Sequence, residues 1–169
     1  MIYPIVKYGA AILAQAAAPV TEFDKRLRQL VADMFETMYA AQGVGLAAPQ
    51  IGIAKRLAVI DITSGQDPSA KLVLANPEIV ARAGRQRKEE GCLSLPGCHA
   101  EVTRPQRVLV RALDASGQEY TLTGQDLLAR AFCHEIDHLH GKLFLQHLSA
   151  LRRDLIRRKI RKQVRAGEW

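Results

Sequence analysis

Apolar side chains recur at three- and four-residue steps in three parts of the chain, a spacing typical of amphipathic helices. The first part is TEFDKRLRQLVADMFETMYAAQG at 21–43, where Thr21 or Asp24 is placed to cap the start. The second is GQDLLARAFCHEIDHLHG at 124–141, and the third is LSALRRDLIRRKIRKQVRAG at 148–167. The pattern therefore predicts an N-terminal helix, a central helix and a C-terminal helix.

Between the first two helices the pattern is that of strands. RLAVIDI at 56–62 and KLVLANPEIV at 71–80 are short, mostly apolar runs, and each predicts a strand. QRVLVRALDASGQEYTLTG at 106–124 alternates on either side of an Asp-Ala-Ser-Gly turn, which predicts a hairpin. Strands, a hairpin and then helices in this order indicate an α+β protein rather than a doubly wound sheet.

Two segments lack a clear period. GVGLAAPQIG at 43–52 is small, apolar and rich in glycine, which is typical of a structural turn, and Pro49 is expected to stop any helix there. The largely polar stretch GRQRKEEGCLSLPGCHAEVTRP at 84–105 predicts irregular chain or an edge strand.

Length and composition favour one soluble domain. The 169 residues suffice for a sizeable core, and 48% hydrophobic with 24% charged residues is ordinary for a globular protein. No apolar run approaches the roughly 20 residues of a membrane span. The N-terminus lacks the charged start and continuous apolar core of a signal peptide. We therefore expect a single domain over residues 1–169, in the cytoplasm and without membrane contact.

The cysteines are not expected to form disulfides. Cys92, Cys98 and Cys133 are an odd number in a chain without an export signal. Each is a buried small residue, a ligand or a reactive thiol.

The sequence HEIDH at 134–138 carries the clearest chemistry. On a helix, His134 and His138 share one face about a turn apart, so their imidazoles can bind one metal ion. Glu135 is offset by about 100°, where it can reach a water without being a ligand, as a general base must. A surface helix rich in histidine and charge remains the alternative at this stage.

A catalytic site of this kind needs a third protein ligand. Phe144 occupies the position where one metallopeptidase branch has a third histidine, and the only acids beyond Gly141 are Asp154 and Glu168. His147 would need the chain to fold back. The ligand is therefore expected upstream, with Cys92 in EEGCLSLPG as the best candidate; a buried small residue is the other interpretation of Cys92.

Taken together, three segments resemble the three motifs of the bacterial peptide deformylase family. They are GVGLAAPQ at 43–50, EGCLS at 90–94 and HEIDH at 134–138, in the family's order and at fitting spacings. The similarity extends through ADMFETMYAAQG and GKLFLQHLS and covers nearly the whole chain. The resemblance implies small antiparallel or mixed sheets around a central helix that carries HEIDH.

The resemblance also implies an activity, which is removal of the N-formyl group from the initiator methionine of nascent proteins, with release of formate. It assigns Cys92, His134 and His138 to one divalent ion, Fe²⁺ in the cell, with Zn²⁺ or Ni²⁺ able to occupy the site. Glu135 would move the proton, while the Gln50 side chain and the Leu93 backbone N–H would stabilise the oxyanion.

The resemblance further implies a substrate cleft and a supporting ion pair. The main chain of Val44 and Gly45 would bind the peptide by strand addition, and Asp137 would pair with Arg104 to orient the motif helix. The residues expected to contact substrate, several of them around a methionine pocket, are Val44, Gly45, Glu90, Gly91, Leu127 and Ala131.

A few positions depart from the family pattern. Cys133 replaces the glutamine that usually precedes the His-Glu pair, and Arg130 lies where some members are apolar. Gly97 and His99 also differ from the usual run after the second motif. These departures bear on substrate and inhibitor preference at the mouth of the site, not on its chemistry.

The positive charge is concentrated at the C-terminus. The net charge is +7, but eight of the 24 cations and two of the 17 acids lie from Arg152 to Trp169, which leaves the other 151 residues near +1. A helix at 148–166 with the apolar strip Leu151, Leu155, Ile156, Ile160 and Val164 is expected to be appended to the catalytic domain. We expect it to bind ribosomal RNA near the exit tunnel rather than DNA. The expected contacts are Arg152, Arg153, Arg157, Arg158, Lys159, Arg161 and Lys162.

Two other functions compete with this prediction. One is a different metallopeptidase built on the same helix, against which Phe144 and the missing downstream glutamate argue. The other is a ribosome-associated binding protein without catalytic activity. Glu135 and Gln50 argue against it, because a structural metal site needs neither residue.

Overall fold

The computed structural model describes residues 1–169. Three α-helices and seven strands make up the fold, with short 3₁₀ turns between them, which confirms the α+β prediction. The helices are α1 (Lys25–Ala40), α2 (Leu127–Leu139) and α3 (Ala150–Arg165). The strands are β1 (Gly45–Ala47), β2 (Leu57–Ile60), β3 (Leu72–Ala83), β4 (Gln86–Gly91), β5 (His99–Arg104), β6 (Arg107–Leu113) and β7 (Glu119–Gln125).

The strands form two antiparallel sheets. The larger has the order β1-β2-β3-β6-β7, and β4 pairs with β5 in a separate two-stranded sheet. Of the predicted alternatives, antiparallel or mixed, the antiparallel one is found. Strand β1 lies at the edge of the larger sheet, and this edge borders the candidate site.

The larger sheet is covered by one helix on each face at its β1–β2 end. Side chains of β2 alternate: Leu57 and Val59 belong to the core under α1, while Ala58 and Ile60 belong to the core under α2. This two-sided burial explains why RLAVIDI is a continuous apolar run and not an alternating one. It also holds α2, which carries HEIDH, firmly against the sheet.

Two predicted segments differ from the structure. Pro49 was expected to stop any helix, but it lies within the short 3₁₀ helix Ala48–Ile51. It is tolerated there because it is near the start of this helix, where a backbone N–H would have no partner within the helix. The stretch 84–105, predicted as irregular or as an edge strand, contains the paired strands β4 and β5. In the loop between them, Cys92 and Leu93 line the candidate site, and Ser94 accepts a hydrogen bond from Gln50.

The N-terminal segment joins parts of the chain that are far apart in sequence. The backbone N–H of Val6 donates to the Gln50 carbonyl at 2.7 Å, and that of Tyr8 donates to the Ser94 carbonyl at 2.8 Å. The backbone N–H of Ala17 donates to the Leu139 carbonyl at 3.0 Å. Each acceptor lies in or directly beside one of the three motif segments. The first eighteen residues therefore hold these segments together.

Helix α3 packs more loosely than the other two helices. Of its predicted apolar strip only Ile160 is buried, whereas Leu151, Leu155 and Val164 are more than half exposed. Ser149 caps its start, and the Lys159 ammonium donates to the Gly97 carbonyl at 2.8 Å. No helix of the protein combines the length and the apolarity that a membrane crossing requires.

Candidate metal centre and active site

Three potential metal ligands come together where the loop after β4 meets α2. The Nε2 atom of His138 lies 3.4 Å from the Cys92 sulfur and 3.2 Å from His134 Nε2. All three ligand atoms lie within 4.8 Å of one another. The upstream cysteine favoured by sequence is thus close enough to share an ion with both histidines. One sulfur and two imidazole nitrogens suit a transition metal ion and leave a fourth coordination position open.

The two histidines are made suitable as metal ligands in different ways: a hydrogen bond orients the ring of His134, and burial keeps His138 neutral. The Oε2 atom of Glu90 lies 2.8 Å from His134 Nδ1, which keeps the other ring nitrogen, Nε2, toward Cys92 and His138. His138 is almost fully buried, and its Nδ1 has no protein partner. Burial lowers the pKa of His138 well below its ordinary value, so its imidazole is neutral and able to ligate.

Glu135 lies in the same pocket but is not one of the clustered ligands. Its carboxylate is buried, and Oε1 has no protein partner. Burial raises the pKa of Glu135 to about 7. A Cβ on Gly45 would overlap Oε2, so the glycine is needed to leave room for this carboxylate.

Gln50 and Leu93 lie beside the sulfur of Cys92. The Oε1 atom of Gln50 accepts from the Ala47 backbone at 2.9 Å, which fixes the side chain, and its Nε2 donates to Ser94 Oγ at 3.2 Å and points toward Cys92 Sγ at 3.6 Å. No protein group accepts a hydrogen bond from the Leu93 N–H. This N–H is therefore free to donate to a bound oxygen.

A cluster of buried charges supports the histidine ligands from behind. Arg104 donates to both oxygens of Glu90, from Nε at 3.1 Å and from Nη2 at 2.8 Å. Its Nη1 donates to Asp137 at 2.8 Å, which agrees with the predicted pairing, and lies 3.2 Å from His147. Burial raises the pKa of Asp137, but its hydrogen bonds to His147 and Arg104 outweigh that effect and keep the pKa below its ordinary value.

A cavity of about 440 Å³ opens beside two of the three ligands, Cys92 and His134. The resemblance to the family predicted six substrate contacts, and all six line this cavity: Val44, Gly45, Glu90, Gly91, Leu127 and Ala131. Glu90 is 6% exposed, and both of its oxygens are bound by Arg104, Arg130 or His134. Its carboxylate therefore faces the protein and not a substrate side chain.

The edge strand β1 offers main-chain groups to this cavity. The Val44 carbonyl already accepts from Asp61 N at 2.8 Å, so Val44, just before β1, and Asp61, just after β2, form a hydrogen-bonded pair. Because such pairs alternate along antiparallel strands, the N–H and C=O of Gly45 point away from β2 toward the open edge. Gly45, rather than the Val44 carbonyl, is free to pair with an added strand.

Three residues around the site make contacts that the sequence did not predict. Arg130 is buried and donates to Glu90, His147 lies 2.8 Å from Asp137, and Ser94 accepts from Gln50. Arg130 had been noted only as a departure from the family pattern, one turn before His134, and its partner is forty residues upstream. His147 had been considered as a metal ligand, but its ring lies beside Asp137 and Arg104 instead.

Comparison with known proteins gives concordant matches. The family model for polypeptide deformylase matches residues 2–154. A peptide deformylase from Acidobacterium capsulatum is 59% identical over 169 residues, covering 100% of this chain and 99% of that protein. Crystal structures of peptide deformylases from Legionella pneumophila and Thermus thermophilus superpose with TM-scores of 0.92 and 0.89, at 47% and 40% identity. Each of the two covers 99% of this chain and 98% of its own.

Proposed function

The chain belongs to the polypeptide deformylase family and removes the N-formyl group from nascent peptides, and we propose that it does so with one Fe²⁺ ion held by Cys92, His134 and His138. The observation that carries the proposal is the convergence of one sulfur and two Nε2 atoms within 4.8 Å. Zn²⁺ or Ni²⁺ suits the same donors. A bound ion supplies Lewis acidity to the formyl oxygen and lowers the pKa of its water.

Glu135 is the proposed general base. Its Oε1 is buried without a protein partner, so it is available to accept a proton from the attacking water. A pKa of about 7 lets it take that proton and later deliver it to the departing amine near neutral pH. Release of formate and a free amino terminus completes the reaction.

The proposed oxyanion donors are the Gln50 side-chain amide and the Leu93 backbone N–H. The bond from Ala47 N to Gln50 Oε1 turns the amide nitrogen toward Cys92, and the Leu93 N–H has no competing acceptor in the protein. Preorganised donors of this kind typically contribute about 3 kcal/mol to transition-state stabilisation.

The proposed substrate site is the cavity beside β1. An N-formylmethionyl peptide would pair with the free main-chain groups of Gly45 and extend the sheet by one strand. The methionine side chain would lie near Leu127 and Ala131, whose apolar surfaces suit a flexible thioether. Residues 1–169 are proposed to act as one catalytic domain.

We also propose that the basic helix at 148–166 binds ribosomal RNA close to the exit tunnel. Six of the seven predicted contact residues are exposed, and Arg158 alone has an acidic partner, Asp154 at 3.6 Å. Because formylated chains emerge from ribosomes, this contact and the activity would both occur in the cytoplasm.

The decisive experiment measures formate release from a formyl-Met-Ala-Ser peptide. The protein is purified without oxygen and loaded with Fe²⁺, and Glu135→Gln is compared with Glu78→Gln, an exposed glutamate on β3. We expect Glu135→Gln to lower the rate by about 10²–10⁴-fold and Glu78→Gln to leave it unchanged. Equal rates in the wild type and in Glu135→Gln would refute the role of Glu135, and binding of no metal would refute the proposed site.

A further inference from the structure

Arg130 is a buried arginine on the ligand-bearing helix α2. Its side chain is 6% exposed, and it lies one turn before His134. The Nη1 atom donates to Glu90 Oε1 at 2.8 Å, and Nη2 donates to the Val102 carbonyl at 2.9 Å. Since a buried guanidinium is costly without partners, these contacts fix its position.

The carboxylate of Glu90 joins Arg130 to a metal ligand. Its Oε1 accepts from Arg104 and Arg130, and its Oε2 accepts from Arg104 and contacts His134 Nδ1 at 2.8 Å. Every strong acceptor position is thus occupied. The orientation of the His134 ring depends on where this carboxylate is held.

The two arginines that hold Glu90 are not equivalent. Arg104 also binds Asp137 and contacts His147, so its guanidinium is shared among three side chains. Arg130 has Glu90 as its only charged partner and is anchored otherwise by a backbone carbonyl of β5. Together, the two arginines balance the charges of Glu90 and Asp137 inside the protein.

We propose that Arg130 is a positioning residue which, by fixing Glu90, aims the Nε2 atom of His134 at Cys92 and His138. The inference rests on the metal site proposed above. It predicts that Arg130 controls how tightly the site holds an ion, although its guanidinium binds Glu90 and the Val102 carbonyl and is not one of the clustered ligands.

The test measures binding of Co²⁺ by competition with a chelator, together with the absorption spectrum of the bound Co²⁺. Arg130→Met keeps much of the side-chain volume and removes the bond to Glu90. The matched control is Arg111→Met on β6, where the arginine is about half exposed and pairs with Glu78. Circular dichroism establishes that each variant is folded.

We expect Arg130→Met to weaken Co²⁺ binding by about 10–100-fold, in the range found for outer-shell partners of metal ligands, and to change the Co²⁺ spectrum. Arg111→Met should match the wild type in both. A folded Arg130→Met protein with wild-type affinity and spectrum would overturn the proposal.

If Arg130→Met alone does not fold, Glu90→Gln and the double variant Arg130→Met with Glu90→Gln decide together, because the double variant removes one charge of each sign. A loss of Co²⁺ affinity by tenfold or more in Glu90→Gln, with no further loss in the double variant, supports positioning through Glu90. Wild-type affinity in Glu90→Gln, or a further tenfold loss in the double variant, overturns it. Failure of the wild type itself to bind Co²⁺ would instead refute the metal site, so the two failures are distinguishable.

Discussion

Charged side chains are used in opposite ways in the cluster behind the metal ligands and on helix α3. In the cluster, the side chains of Arg104 and Glu90 are 3% and 5% exposed and bind each other through two hydrogen bonds. On α3, the pair Arg158–Asp154 has side chains that are 69% and 55% exposed. The residue types are similar, but the surroundings determine their effect. Buried charges constrain the positions of other atoms, whereas exposed charges remain available to a partner.

The largest predicted effect compares one arginine from each region. Arg104→Met leaves Glu90 and Asp137 with fewer partners inside the protein, and we expect the free energy of unfolding to fall by about 3–5 kcal/mol. Arg158→Met removes only an exposed helical pair, worth about 0.3–0.5 kcal/mol. Urea unfolding monitored by circular dichroism measures both. Similar losses in the two variants would contradict the comparison.

The second prediction concerns close packing near the buried carboxylate. Gly45→Ala introduces a Cβ that overlaps Glu135 Oε2 and must displace it. We expect formate release to fall by about 100-fold, as for a misplacement of roughly 1 Å in a catalytic group. The Cβ of Gly43→Ala meets the terminal methyl of Leu93 instead, so its loss should be smaller. A larger loss for Gly43→Ala would show that Glu135 is not the sensitive contact.

The third prediction extends the comparison to another buried acid, Asp61. Burial raises its pKa, but hydrogen bonds from Tyr39, Thr63 and Gly65 outweigh that effect and lower the pKa to about 2. Because the folded pKa lies below the ordinary value of 3.8, this contribution to stability is complete above about pH 4. It should be lost as the pH falls from about 4 to about 2.

Urea unfolding at pH 6 and at pH 3 tests this window. The wild type should lose stability between the two values, and Asp61→Asn, although less stable at pH 6, should lose less. Asp154→Asn on α3 should keep the wild-type difference. Parallel pH profiles for the wild type and Asp61→Asn would count against the assigned role of Asp61.

The smallest effect on catalysis is predicted for α3. Combining Arg157→Glu with Arg161→Glu should leave formate release from a short peptide within about twofold of the wild type, because neither side chain lines the cavity. Ribosome co-sedimentation should drop, and the remaining binding should depend less steeply on salt. Unchanged co-sedimentation would remove the case for α3 as the ribosome contact.

Local signals explain what could be predicted from sequence. The three helices were predicted from the spacing of apolar residues. Of the two predicted caps for α1, Thr21 and Asp24, the structure has Asp24, whose side chain accepts from Leu27 N. Strand β4, with the sequence QRKEEG, has no alternation of apolar and polar residues, so its pairing with β5 could not be predicted from the sequence. Backbone hydrogen bonds to β5 hold this strand in place, and such bonds require no periodic pattern of side chains.

In the candidate site as well, contacts within one element could be predicted from sequence, whereas contacts between elements could not. His134, Glu135 and His138 were identified by spacing within one helix, which fixes their relative directions. The contacts of Arg130 with Glu90 and of Ser94 with Gln50 cross between elements, so only the fold reveals them. The glycine at 45 was expected to admit a substrate strand, and the structure adds the requirement of room for Glu135.

The N-terminal segment has a consequence for the order in which the molecule is completed. Residues 6–17 are synthesised early, but their acceptors at Gln50, Ser94 and Leu139 follow much later in the chain. Each bond closes a loop of more than forty residues, and none can form until its acceptor has been synthesised. The amide protons of Val6, Tyr8 and Ala17 are therefore protected from hydrogen exchange by these bonds only when Gln50, Ser94 and Leu139 are in place. The part of the chain that is made first thus obtains its last hydrogen-bond partner near the end of synthesis.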